Sequence, residues 1–274
     1  MAEVSLIIPV YQARQHIDAC IDTVLAQTLD ALEVIFVDDH SSDGSIARAR
    51  ERLAGYTGPK HFVFARTEKN EGPGAARNLG IRLATAPYIA FLDSDDRLDA
   101  DFCRALYDAA LHTDADIACC HIAFDYPDGS RRIRRNPAVE DGPFEGKVKR
   151  RYLRRFTSYF TTYLYRRALL QEAGIAFPGT HSAEDSCFLI CSLLSARRIA
   201  AVDRVLYHYC IAPDSVSKRR DPQRWKNRLR SFRALNAFVR SQASCRPYRG
   251  TVRLLTVRKG WLMALRDYLS NNLF

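Results

Sequence analysis

The run Asp93-Ser94-Asp95-Asp96 concentrates three carboxylates in four residues. Clustered carboxylates repel one another and cost stability unless a cation neutralises them. Mg²⁺ and Mn²⁺ take oxygen ligands and bridge protein carboxylates to substrate phosphates. An exposed acidic turn capping a helix from Asp99 would carry the same letters, and the cluster alone does not separate the two readings. Asp38 and Asp39 end the apolar run Val34-Ile35-Phe36-Val37. A carboxylate there accepts a hydrogen bond from a base or a ribose edge, or caps the helix that follows Gly44. Tyr11, just after Pro9, offers an aromatic face to a base, or is an ordinary loop residue. The segment Glu71-Gly72-Pro73-Gly74-Ala75-Ala76-Arg77-Asn78 opens a helix with little side-chain bulk. Helix N-termini attract phosphate, and Arg77 adds a charged donor. Its glycine spacing is not that of a dinucleotide fingerprint. Ser182-Ala183-Glu184-Asp185 starts a further helix, where Asp185 is either a working carboxylate or a first-turn acid that suits the helix dipole.

These residues need a scaffold, and the periodicity supplies one. Strands are expected at Val4 to Val10, Val34 to Val37, His61 to Ala65, Tyr88 to Leu92 and Asp116 to Phe124. Helical spacing covers Ile17 to Leu25, Ala75 to Ala84 and Asp99 to Leu111. Strands alternating with helices over short connections predict an α/β fold, a mostly parallel sheet with helices on both faces. Ligands of such sheets bind beyond the carboxyl ends of the strands. Asp38-Asp39 and Asp93-Ser94-Asp95 both fall there, so two acidic clusters share one rim. Further on, 127–155 reads as a basic loop and helix, Leu164 to Ala173 as helix, and Ala200 to Tyr209 as paired short strands. From Pro222 onward the chain reads as basic helices.

The charge is uneven. Residues 1–130 hold 11 Lys/Arg against 21 Asp/Glu, and residues 131–274 hold 30 against 10. One half therefore suits a cation or catalytic carboxylates, and the other suits an anionic partner. A hydrophobic content of 47% and a charged content of 26% are those of an ordinary globular protein. No stretch approaches the about 18 apolar residues that span a bilayer, and the opening residues lack the pattern of a signal peptide. The expectation is a cytoplasmic protein, peripheral at most on the cytoplasmic face of the inner membrane. Eight cysteines without a C-x-x-C pair predict reduced, buried thiols and no zinc.

In order, P-V-Y at 9–11, V-D-D-x-S-x-D-G at 37–44, E-G-P-G-x-A-R-N at 71–78 and F-L-D-S-D-D at 91–96 resemble the inverting family 2 glycosyltransferases of bacterial surface-polysaccharide type. The resemblance is close over 4–125, looser to about 218, and does not cover the tail. It implies a GT-A fold, a Rossmann-like nucleotide-diphospho-sugar transferase sheet. It implies a GT-A domain over 1–217, with a nucleotide-sugar half at 1–125 and an acceptor side at 126–217; the basic amphipathic helical tail at 218–274 is read from its own residues. By resemblance, Pro9, Tyr11 and Asp39 hold the donor's base, usually uracil. Arg77 serves the donor phosphates, and Asp93 and Asp95 form a D-x-D in which Asp95 is the direct ligand of Mn²⁺ or Mg²⁺. Asp185 of the Glu184-Asp185 pair is the implied general base. The implied reaction moves a sugar from a UDP-sugar donor to a hydroxyl of a glycan or lipid-linked acceptor, with inversion.

The chain also departs from the family pattern. Thr161-Thr162-Tyr163 stands where relatives often carry a W-N-K-like element. Cys210, after Tyr207-His208-Tyr209, stands where an arginine near the phosphates is frequent. Lys218, Arg219 and Arg220 are the candidates to compensate. His208 reads as a strand histidine with ordinary hydrogen bonds in preference to a metal or phosphate contact. In the tail, Trp225, Leu229, Phe232, Leu235 and Phe238 or Val239 recur between basic residues, and Trp261, Leu262, Leu265, Tyr268 and Leu269 repeat the pattern. That spacing fits an anionic membrane surface, a helical subdomain with an apolar core face, or a homodimer interface. A nucleic-acid-binding module would explain the basic half and leave the acidic rim unexplained; nucleic acid is not an expected partner. A nucleotidyltransferase would require an early glycine-rich basic loop, and Val10 to Gln15 has only Arg14.

Overall fold

The apolar run Val4–Val10 forms β1, and all its residues are buried. Val4, Leu6, Ile8 and Val10 enter one core cluster and Ile7 enters the other. A strand covered on both faces needs such an unbroken apolar run. The chain, a computed structural model, is described over 1–139, 142–180, 182–211 and 223–257 and at 262, 263 and 265.

After β1 come α1 (Ile17–Leu25), β2 (Leu32–Asp38), α2 (Ser45–Leu53), β3 (His61–Arg66), α3 (Pro73–Leu83) and β4 (Tyr88–Phe91). β3, β2, β1 and β4 lie side by side, all parallel. α1 and α2 cover one face through Ile17, Cys20, Ile21, Val24, Ala49 and Leu53. α3 covers the other through Ala76 and Ile81. A Cβ on Gly80 would collide with the Ile7 side chain, so a glycine is what lets α3 settle directly onto β1.

The second half adds β5 (Arg97–Leu98), α4 (Phe102–His112), β6 (Ile117–Asp125), β7 (Arg131–Arg134), α5 (Gly146–Arg155), β8 (Tyr163–Arg166), α6 (Arg167–Glu172), α7 (Glu184–Ser195), β9 (Ile199–Cys210), α8 (Arg224–Ser241) and α9 (Arg249–Leu255). The full sheet runs β3-β2-β1-β4-β8-β6-β9-β5, with β7 paired to β6. β9 is parallel to β6, whereas β8, β5 and β7 enter antiparallel. The α/β architecture with helices on both faces is as expected.

Three local expectations differ from the structure. The helix expected from Leu164 begins instead as β8, which fills the slot between β4 and β6. There Leu164 enters one core while Tyr163 and Tyr165 enter the other. Pairing on both edges outweighs local helix propensity, which is a weak prior. The expected pair of short strands at Ala200 to Tyr209 is one strand, β9, whose pairing with β6 shifts register between Cys119 and Ile122. β7 falls in the segment read as loop. It returns on β6 through a turn at Asp128-Gly129, where Gly129 has a φ of 81°.

The apolar stripe of α8 is consumed inside the molecule, since Phe232, Leu235 and Val239 share a core cluster with α7. Here the core-face reading of the tail holds. All eight cysteines are free, and all but the half-buried Cys210 are buried. No helix among the described residues is long and apolar enough to cross a membrane.

Candidate active site

The register of the parallel strands fixes the rim. Pro9 is opposite Val37 and Val10 is opposite Asp38, and the Asp39 N–H donates to the Val10 carbonyl at 2.9 Å. Tyr11 and Asp39 therefore leave adjacent strand ends. Pro9 lies beyond the β4 pairing, which stops at Ile7 and Phe91, so its missing N–H breaks no ladder bond there. Tyr11 is 51% exposed and leaves an aromatic face open at the rim. Asp39 is buried and fully engaged. Its Oδ1 accepts from the Thr67 hydroxyl at 2.8 Å and the Glu71 N–H at 3.1 Å, and its Oδ2 accepts from the Gly72 N–H at 2.8 Å. It thus ties the end of β2 to the loop that opens α3.

Arg77 projects from α3 into a cluster of carboxylates. Its side chain is 6% exposed; Nη2 is 2.6 Å from Asp93, and Nη1 is 3.3 Å from Asp185 and 3.7 Å from Glu184. Phe160 and Phe177 lie against the guanidinium, with ring centroids 4.6 and 5.4 Å from its central carbon. Burial disfavours its charge, yet the carboxylates of Asp93, Asp185 and Glu184 outweigh burial and hold it firmly protonated. Its Nε–H has no partner among the described residues.

The three carboxylates after β4 divide their work. Asp93 turns to Arg77. Asp96 turns inward, where it accepts from the Tyr207 hydroxyl at 2.6 Å and the Cys210 N–H at 2.9 Å. Burial and the charges of Asp93 and Asp95 push its carboxyl well up. Asp95 points outward and is exposed. Its crowded surroundings, and then the Asp93 charge, raise its carboxyl as well. A cation would relieve that repulsion. No third His, Cys, Asp or Glu completes a cage among the described residues. An exposed carboxylate beside a second one fits a hard cation that keeps positions open for phosphate oxygens and water.

Glu184 and Asp185 start α7, one residue after Ala183, whose φ of 61° is left-handed. A non-glycine residue there is strained, by about 1–3 kcal/mol, and such strain concentrates at functional sites. Gln12 and His40, which follow Tyr11 and Asp39, also have positive φ, 50° and 61°. Glu184 is buried; burial and then the charge of Asp185 push its carboxyl up to about 8, against the pull of Arg77. Asp185 is raised to about 6 by burial, again opposed by Arg77. The Asp185 side chain nevertheless keeps 46% of its surface open, which leaves it accessible to a reacting hydroxyl. One guanidinium therefore joins the turn after β4 to a carboxylate able to take a proton near neutrality.

Several participants had no signature in the sequence. Nothing in the spacing of Phe160 and Phe177 shows that they flank Arg77. Thr67 and the Tyr207 hydroxyl are revealed only by the carboxylates they serve. Asn78, part of the glycine-rich segment, exchanges two 2.9 Å hydrogen bonds with the backbone of Phe177 and so holds that ring in place. His208 pairs with Asp125 at 3.1 Å, an ordinary strand contact. Cys210 contributes its backbone N–H to Asp96. Lys218, Arg219 and Arg220 lie outside the described residues.

Comparisons with known proteins establish the fold and the family. The chain is 29% identical over 251 residues to EpsH of Bacillus subtilis (strain 168), a protein named as a glycosyltransferase, covering 90% of this chain and 72% of EpsH. A crystal structure of S. aureus TarS 1-349 in complex with UDP-GlcNAc superposes with a TM-score of 0.70 at 21% identity, over 88% of this chain and 67% of that one. The mannosyltransferase PcManGT of Pyrobaculum calidifontis, in complex with GDP-Man and Mn²⁺, gives a TM-score of 0.67 at 19% identity, over 98% of this chain and 73% of its own. These two likenesses establish the GT-A fold. Residues 5–174 match the model of glycosyl transferase family 2, so the chain belongs to that family of enzymes.

Proposed function

We propose that this enzyme transfers a sugar from a UDP-sugar to a hydroxyl of a glycan or lipid-linked acceptor in surface-polysaccharide assembly, inverting the anomeric carbon. The observation that carries the reading is Arg77, which contacts both Asp93 and Asp185. Tyr11 offers its exposed face to the uracil, beside Pro9 and Asp39 at the rim. Asp95, with Asp93 behind it, is the position for Mn²⁺ or Mg²⁺; a cation there would act as a Lewis acid, stabilising charge on the departing diphosphate. TarS and PcManGT, solved with UDP-GlcNAc and with GDP-Man plus Mn²⁺, support such a ligand set.

In this reading the acceptor hydroxyl lies against Asp185. As the acceptor oxygen bonds to the anomeric carbon, its proton passes to the Asp185 carboxylate. The bond from that carbon to the diphosphate oxygen breaks, and UDP leaves with the electron pair. Displacement from the opposite side inverts the centre. Arg77 orients Asp185 and keeps it ionised closer to its ordinary range than burial alone would. Glu184, held protonated near neutrality, leaves the neighbouring Asp185 as the ionised member of the pair. The tail, 218–274, is proposed as the part that meets an anionic membrane surface or a second copy of the chain.

Asp185→Asn tests the assignment. The variant should bind UDP as the parent does and lose transfer from a panel of UDP-sugars by about a thousandfold or more. Transfer at parental rates would exclude Asp185 as the base.

A further inference from the structure

α8 and α9 border a groove of about 490 Å³ that no residue of the rim lines. Arg240, Arg249 and Arg253 line it, with Asn236, Val239, Thr256 and Val257. No carboxylate answers these three exposed guanidiniums among the described residues, and 223–257 contain no Asp or Glu at all. Among the described residues, Arg249 Nη2 donates to the Arg240 carbonyl at 3.5 Å. Thr256 is 7% exposed, yet its hydroxyl has no partner among the described residues. A buried hydroxyl without a hydrogen bond is destabilising, and a phosphate oxygen in the groove would supply the missing acceptor.

The surroundings indicate which phosphate. Leu254 and Val257 beside the groove are 46% and 44% exposed, and Leu262 and Leu265, farther along the chain, 59% and 53%. Exposed leucines next to arginines are the composition of a surface that lies in a lipid interface. A soluble phosphate would use the arginines and leave these apolar side chains in water. α5 extends the basic surface. Lys147, Arg151, Arg154 and Arg155 are exposed, and Arg150 reaches the Pro247 carbonyl just before α9, at 3.3 Å.

We propose that the groove between α8 and α9 binds the phosphate of an anionic phospholipid headgroup, with Leu254 and Val257 entering the interface beside it. This deepens the membrane contact proposed for the tail and is independent of the donor site. The Thr256 hydroxyl would donate to the phosphate, and the arginines would form charge-assisted bonds to its oxygens.

The test is co-sedimentation of the full chain with vesicles of phosphatidylcholine alone and of phosphatidylcholine with phosphatidylglycerol. The parent should bind only the second kind. An Arg240→Gln/Arg249→Gln/Arg253→Gln variant should bind at least about tenfold more weakly. Thr256→Val, nearly the same shape, should lose a few-fold, and both should bind UDP as the parent does. A variant with the equal charge change on α5, Lys147→Gln/Arg151→Gln/Arg154→Gln, should lose less than the groove variant. Failure of the parent to bind phosphatidylglycerol vesicles would overturn the proposal, as would equal losses from the two triple variants. Glycerol 3-phosphate that saturates the groove, without any vesicle binding, would make it a soluble-phosphate site. A loss confined to duplex DNA binding would assign it to nucleic acid. Intact UDP binding alongside any of these failures leaves the transferase reading standing.

Discussion

Arg77 Nη1 lies 3.3 Å from Asp185 Oδ1, a contact between residues 108 positions apart. It joins α3 to the start of α7. The same guanidinium holds Asp93, so the position of Asp185 and the position of the turn after β4 are set together.

Removal of Arg77 should therefore disturb activity and stability alike. Arg77→Ala leaves the partly exposed carboxylates of Asp93 and Asp185 without their counter-charge, a loss of about 1.5–3 kcal/mol, readable as a lower Tm. Arg77→Lys keeps one positive charge and cannot reach two carboxylates with a planar fork. It should retain most of the stability and lose much of kcat. Parental kcat in Arg77→Lys would show that charge alone suffices.

The pH profile follows from Asp185. A base must be ionised, and burial raises this carboxyl to about 6 while Arg77 lowers it. kcat/KM should rise with pH up to about 6 and level off above it; the solvent open to this side chain places the limb at or below that value. Arg77→Gln removes the opposing charge and should move the limb to higher pH. A limb that stayed put in that variant would separate Arg77 from the ionisation of the base.

Glu184 makes a separate prediction about folding. Its carboxyl is raised from an ordinary 4.5 to about 8, so the native state binds this proton more tightly than the unfolded chain. Its contribution is fully present below 4.5 and is lost as pH rises toward 8. Glu184→Gln should remove that loss and flatten the decline of Tm over the same window. An unchanged slope would locate the decline in other groups.

Close packing around the site predicts two further losses. A Cβ on Gly74 would lie 3.1 Å from Glu184 Oε2 and 3.3 Å from Phe177 Cβ. Gly74→Ala should cost about 1–3 kcal/mol and lower kcat by shifting the start of α7. Asn78→Ala strands the Phe177 N–H and should destabilise by about 1–3 kcal/mol. Denaturant unfolding measures both.

The first half of the fold was readable because β1, β2 and β4 are covered on both faces and α1, α3 and α4 carry one apolar stripe each. Strand ends then place Tyr11, Asp39 and Asp93 without further information. β8 was not readable. Tyr163-Leu164-Tyr165 is a strand only because β4 and β6 leave a slot for it, a fact about distant residues. The same limit applies within the site. Glu71 to Asn78 announced a helix start suited to phosphate, while the structure commits both Nη groups of Arg77 to carboxylates. Those partners lie 16 and 108 positions away, beyond any local pattern.

The measurement that bears most directly on the central claim is calorimetric titration of UDP, with and without Mn²⁺, into the parent and into Asp95→Ala. The account predicts metal-dependent binding to the parent that falls by at least about tenfold in the variant. Absence of UDP binding under both conditions, or equal metal-dependent binding by both proteins, would contradict it.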